Sequence, residues 1–295
     1  MKKILLLFLL LTASLQGFCQ KSEEIYKKYG TFLRLHLPNT AFPHSSRANG
    51  YSYSDKQYSA EKHYQDSTVL VFIPKNFKPS KKIDLVFYFH GWFCNVDSAL
   101  EQFHLIEQFV QSEKNAILVL PELARNAPDS RGGKLEEANT FKSLTDSVMM
   151  YLNRVEALQK SRLGNAILAG HSGAYRTISY IIFHGGLPIS EVYLFDGLYG
   201  NFQKYAVWLL KNPKARFINF YSEQSIDVKN NSEQMIEEMR VWGIDHLKSS
   251  DKNLSLKDLE TKKISFIKSD LDHYQIVYLN GAFYKCLLSS SRLKN

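Results

Sequence analysis

The chain of 295 residues is 44% hydrophobic and 22% charged, enough to bury the core of one large α/β domain or two small ones. Its formal charge of +8 is scattered as single residues and pairs such as Lys27-Lys28, Lys81-Lys82 and Lys262-Lys263, without the basic arm or face of a nucleic-acid binder. The three cysteines and nine histidines show no C-x-x-C, no H-E-x-x-H and no other ligand spacing, so the sequence implies no metal, no cofactor and no disulfide framework.

In chain order, residues 1–19 read as a secretory signal peptide. Lys2 and Lys3 precede the apolar run Ile4 to Leu11, and Gly17-Phe18-Cys19 offers a cleavage site before Gln20. The run is too short for a membrane span. Phe18 is bulky where a lipoprotein signal carries a small residue, which favours cleavage over lipidation at Cys19. The expected mature protein is secreted or periplasmic, with no stable membrane span. The signal carries two lysines and no acids, so its removal leaves a net charge of about +6. Cys94 and Cys286 then remain and could pair in an oxidising compartment.

Residues 20–66 form a polar, tyrosine-rich N-terminal extension interrupted by Pro38, Pro43 and Gly50. A short helix or strand fits within 23–37, and a loop or edge strand fits at 50–54. Residues 67–295 carry a regular rhythm. Strands are expected at 67–74, 82–89, 116–120, 165–169, 192–195, 217–221 and 264–268, where β-branched and aromatic residues run together. Helices are expected at 97–113, 135–158, 174–183, 202–210 and 232–241, and one or two at 274–288 with an interruption near Gly281, where apolar residues recur at helical spacing. The first two strands have no helix between them and should form an adjacent antiparallel edge. The fold class is α/β: a three-layer sandwich, with a mostly parallel sheet and helices on both faces.

In such sheets ligands bind beyond the carboxyl ends of the strands, so the polar residues there form the candidate site. Gly170-His171-Ser172-Gly173-Ala174 follows one strand and opens a helix. This is the form of a nucleophile elbow, in which a sharp turn raises a serine hydroxyl above the sheet. Ala174 stands where the usual pattern has glycine. Upstream, His90-Gly91-Trp92-Phe93 follows another strand and could turn backbone N–H groups toward an oxyanion, with His90 and Gly91 in support. Downstream, His273 follows the last strand, and histidine is the residue type that usually serves as base for a serine hydroxyl. Asp196, directly after the strand ending at Phe195, ranks first as the acid that orients it. Glu223 ranks second and Asp227 third. His171 is too constrained to be the base and should support the turn. Trp92, Phe93, Tyr199 and the loop 122–134 are candidates for the pocket walls.

The order serine, acid, histidine together with these motifs resembles the α/β-hydrolase superfamily, in particular secreted bacterial esterases and lipases. The resemblance covers residues 67–295. It implies an eight-stranded sheet, Ser172 as nucleophile, His273 as base, and the N–H groups of Trp92 and Gly173 as the oxyanion hole. Most members place the acid at the position of Glu223 or Asp227, and some lipases at that of Asp196. No separate lid is expected. The function implied is an exported serine hydrolase acting on a carboxylic ester, either a small molecule or derived from the cell envelope. An amidase or peptidase with the same triad and a silent envelope-binding member are the alternatives.

Overall fold

The computed structural model describes residues 24–155 and 158–295; the expected signal peptide lies outside the described residues. The chain opens with β1 (Gly30–His36), a small hairpin of β2 (Tyr51–Tyr53) and β3 (Lys56–Tyr58), and a single-turn helix α1 (Ala60–His63). Then come β4 (Thr68–Pro74), β5 (Lys82–Phe89), α2 (Val96–Gln102), α3 (Leu105–Gln111), β6 (Ala116–Pro121), α4 (Thr140–Leu152) and β7 (Arg162–His171). The second half runs α5 (Ala174–His184), β8 (Glu191–Phe195), α6 (Phe202–Lys211), β9 (Arg216–Ser222) and α7 (Ile226–Val241). It closes with β10 (Leu247–Ser250), α8 (Leu256–Thr261), β11 (Ile264–Ser269), α9 (Gln275–Tyr278) and α10 (Ala282–Leu288).

Nine strands form one sheet in the order β1-β4-β6-β5-β7-β8-β9-β11-β10. Only β4 runs against its neighbours, pairing antiparallel with β1 and with β6. The central strands are apolar along almost their whole length because both faces of the sheet are covered. On one face Leu85, Phe87, Phe89 and Leu168 pack with Phe141 of α4, Ile178 of α5, Ala206 of α6 and Met235 of α7. On the other, Val86, Tyr88, Ile167 and Ala169 meet Leu100 of α2, Ile106 of α3, Leu259 of α8 and Phe283 of α10. Alternate residues of each strand thus feed two separate cores, which is the expected three-layer sandwich.

Several expectations are corrected. The strands at 67–74 and 82–89 are not adjacent, because β6 lies between β4 and β5. Nine strands replace the eight implied: β1 comes from the N-terminal extension and zips along β4 from Gly30↔Pro74 to His36↔Thr68. The helix expected at 97–113 is two helices, broken at His104, which takes a left-handed φ of 49°. The helix expected to open at Ser232 begins at Ile226, and Ser232 is buried in its middle, accepting from Asn219 Nδ2 at 2.8 Å. The short helix α8 opens with a capping box formed by Ser255 and Asp258. Cys94 and Cys286 are free and buried, so the pairing considered from sequence does not occur. Both serve as small apolar residues in the layer that includes Phe283.

Candidate active site

Ser172 sits between the end of β7 and the start of α5 with φ of 55°. That left-handed conformation costs a non-glycine residue about 1–3 kcal/mol, and the surroundings enforce it. The Ser172 amide donates to the Phe195 carbonyl at 3.1 Å, and the Tyr175 amide donates to the Ser172 carbonyl at 3.2 Å. A Cβ on Gly170 would fall 2.6 Å from Ile178 Cδ1 and 2.8 Å from Ala174 Cβ, so the helix can seat on the strand only through glycine. The same contact accounts for Ala174: it is fully buried against Gly170, where a methyl fits. Gly91 is equally confined, since a Cβ there would come within 2.7 Å of Ser172 Cβ.

The residues after β5 form a fixed loop beside the serine. His90 is buried; its Nε2 is 2.7 Å from Glu122 Oε1 and its Nδ1 2.8 Å from the Gly91 carbonyl. Glu122 Oε2 also accepts from the Val96 amide at 3.3 Å. This buried cluster ties the loop to the end of β6. Trp92 is held by its indole N–H, which donates to Ser130 Oγ at 2.7 Å, and its ring covers Gly173 closely enough to forbid a Cβ there. Among the described residues neither the Trp92 nor the Gly173 amide donates a hydrogen bond.

Asp196 follows β8 and is fully buried, with φ of 44°. His273, in the turn between β11 and α9, places Nδ1 2.6 Å from Asp196 Oδ2. The carboxylate is held from both sides: the Ser222 amide donates to Oδ1 at 2.9 Å, and the Ser225 hydroxyl donates to Oδ2. Ser222 Oγ further donates to the Leu271 carbonyl at 2.6 Å, tying β9 to the loop that carries His273. Sequence reasoning passed over Ser222 and Ser225; only their position directly after β9 hinted at them. Glu223 lies elsewhere, pairing with Lys268 at 3.0 Å, and Asp227 is exposed in the first turn of α7. Neither of these two carboxylates is brought to His273; Asp196 is.

His171 bonds the neighbouring backbone. Its Nε2 donates to the His273 carbonyl at 2.7 Å, and the two imidazoles lie 4.4 Å apart between centroids. Burial first, then the proximity of His273, lowers the His171 pKa to about 3, so it is neutral at working pH with the proton on Nε2. The neighbour of the serine in sequence therefore holds the histidine loop in space. Tyr199, 6.2 Å from the His273 ring, has its phenol pushed up to about 12 by burial and by the charge of Asp196. It stays protonated.

These groups open onto a cavity of about 360 Å³ walled by Trp92, Phe93, Ser130, Tyr175, Tyr199 and Tyr274, with Ser172 and His273 at its base. The volume is that of a small-ligand pocket. Tyr53 of the β2–β3 hairpin packs edge-on to Trp92 at 5.3 Å, so the N-terminal extension supports the wall. Ser172 Oγ and His273 share this cavity without a direct hydrogen bond between them. Such contacts often close only when substrate is bound.

Solved structures share the architecture. A feruloyl esterase module from Clostridium thermocellum, complexed with sinapinate, superposes with a TM-score of 0.54 at 13% identity, covering 90% of each chain. The S-formylglutathione hydrolase FrmB from Staphylococcus aureus gives 0.53 at 12% identity over 88% of this chain and 96% of its own. FphF, a fluorophosphonate-binding serine hydrolase of the same organism, gives 0.52 at 12% over 89% and 100%. The fold is that of the α/β-hydrolases. No protein-family model matches the chain, and no curated protein matches it. Among the described residues no helix is long and apolar enough to cross a membrane, and no three His, Cys, Asp or Glu residues cluster as metal ligands do.

Proposed function

We propose that the protein is an exported serine hydrolase that cleaves carboxylic esters through Ser172, His273 and Asp196. The observation that carries this reading is the 2.6 Å contact between His273 Nδ1 and the buried Asp196 carboxylate, beside a serine held in a strained elbow. Asp196 accepts a hydrogen bond from the His273 Nδ1–H, which fixes the tautomer and leaves the Nε2 lone pair free toward the cavity. His273 Nε2 takes the Ser172 proton as Oγ attacks the ester carbonyl, and the negative charge moves to the carbonyl oxygen. The amides of Trp92 and Gly173 stabilise that oxygen. Collapse expels the alkoxide, which takes the proton from His273. Water, deprotonated by the same histidine, then releases the acid and restores Ser172.

The aromatic walls suit an apolar or aromatic ester of modest size. Of the solved structures of like fold, one is named a feruloyl esterase, one a serine hydrolase and one an S-formylglutathione hydrolase, which supports a hydrolytic acyl-transfer reaction. The leader composition of residues 1–19 supports export.

The test is labelling by a fluorophosphonate probe together with hydrolysis of a panel of nitrophenyl esters and matching anilides. The intact protein is expected to be labelled and to prefer esters, and Ser172→Ala to lose labelling and at least a thousandfold in kcat/KM. An unlabelled, inactive intact protein overturns the reading in favour of a silent binder. Anilide turnover at or above the ester rate moves it to an amidase.

A further inference from the structure

The edge of the sheet opposite Ser172, formed by the amino ends of its parallel strands, is basic across its width. At one side Lys28, Lys75 and Lys78 border a single cavity. In the middle Lys82 pairs in register with Arg162, whose amide donates to the Lys81 carbonyl at 3.0 Å. Beyond them Arg292 donates to the Lys214 carbonyl at 2.8 Å, and Lys263 Nζ donates to the Pro213 carbonyl at 3.1 Å. Lys75, Lys78, Lys81, Lys82 and Lys214 are exposed, and none has a carboxylate partner among the described residues.

The acids here are fewer and mostly spent. Glu191 is buried against Arg216, Asp245 holds Lys262, and Glu24 is paired with Lys27. Glu113 and Glu260 remain exposed. Read along the sequence the lysines look scattered. The topology gathers them, because each stands just before a forward strand or, for Lys75, just after the one reversed strand.

The direction of the chain adds a second observation. Gly30 pairs with Pro74, and the Lys75 amide donates to the Tyr29 carbonyl at 2.8 Å. The segment before β1, which carries the exposed Lys27 and Lys28, therefore joins the fold at this basic edge. Ser172, Asp196 and His273 all lie at the other.

We propose that this edge docks on anionic phospholipid headgroups, with the cavity turned toward the aqueous side. Nine strands at about 4.8 Å spacing make a broad basic front, suited to the diffuse attraction of a charged membrane surface. The proposal is independent of the ester-cleaving reading.

The test is co-sedimentation of residues 20–295, which retain every described element, with vesicles of phosphatidylcholine alone or containing about 30% phosphatidylglycerol. Binding is expected only to the charged vesicles at about 0.05 M salt, and is expected to be lost at about 0.5 M. Lys75→Gln, Lys78→Gln and Lys81→Gln together should weaken it on the order of a hundredfold. Lys56→Gln, Lys62→Gln and Lys252→Gln, which remove equal charge from the opposite edge, should leave it within a few-fold. Circular dichroism and urea midpoints establish that both variants are folded. Equal binding to neutral vesicles, no binding at all, or equal loss in the two variants overturns the proposal. Binding to polyphosphate with none to charged vesicles overturns it in favour of a soluble polyanion.

Discussion

Asp196 and Glu223 are one strand apart and chemically alike, yet their surroundings give them different work. Asp196 is fully buried with three donors on its two oxygens, whereas Glu223 is partly exposed and paired with Lys268. Asp196→Asn should therefore lower kcat by about four orders of magnitude, as loss of the orienting carboxylate does, with Glu223→Gln within a few-fold of the parent on a nitrophenyl ester. The reverse pattern would remove Asp196 from the mechanism. His171 gives a separate prediction. Its folded-state pKa of about 3 lies below the ordinary histidine value. Above pH ~6.5 the residue is neutral in both states and costs nothing. As pH falls toward 3 the unfolded chain takes a proton that the fold refuses, so stability declines by about 1.4 kcal/mol per unit. From pH 7 to pH 5 the parent should lose about 2 kcal/mol more than His171→Gln, read from urea midpoints. Ser172, Asp196 and His273 were legible because each directly follows, or lies within a few residues of, an apolar strand. Ser222 and Ser225 were not, since a serine hydroxyl aimed at a carboxylate leaves no periodic trace.

Strands buried on both faces announced themselves through composition, and helices through spacing. What stayed hidden were elements whose partners supply their stability. β10 has the sequence Leu-Lys-Ser-Ser and lies at the sheet edge, so only its pairing with β11 makes it a strand. Strand order was equally illegible: β6 enters between β4 and β5 because the connection through α2 and α3 carries it back across the sheet. Gly170 shows how tightly strand and helix are mated. Gly170→Ala puts a Cβ 2.6 Å from Ile178 Cδ1 and 2.8 Å from Ala174 Cβ. It should destabilise the protein by about 1–3 kcal/mol through overpacking, measured by urea unfolding. Unchanged stability would mean that α5 can shift freely on β7.

On the scale of the whole molecule, the two cysteines test the packing of the layer they share. Burial pushes the Cys94 thiol up to about 12, and burial also raises that of Cys286. Neither thiol should react with an aromatic disulfide reagent in the native protein, and both should react once it is unfolded, with a melting temperature indifferent to reductant. Rapid native modification would place one of them at the surface. The nine-stranded sheet also keeps its two edges apart. Strands such as β5, of eight residues, span about 25 Å at the rise of extended chain. The cavity mouth therefore stands on a pedestal above the lysine-bearing base. Seated on that base, it would reach esters dissolved above a surface and pass over those embedded in the surface beneath it.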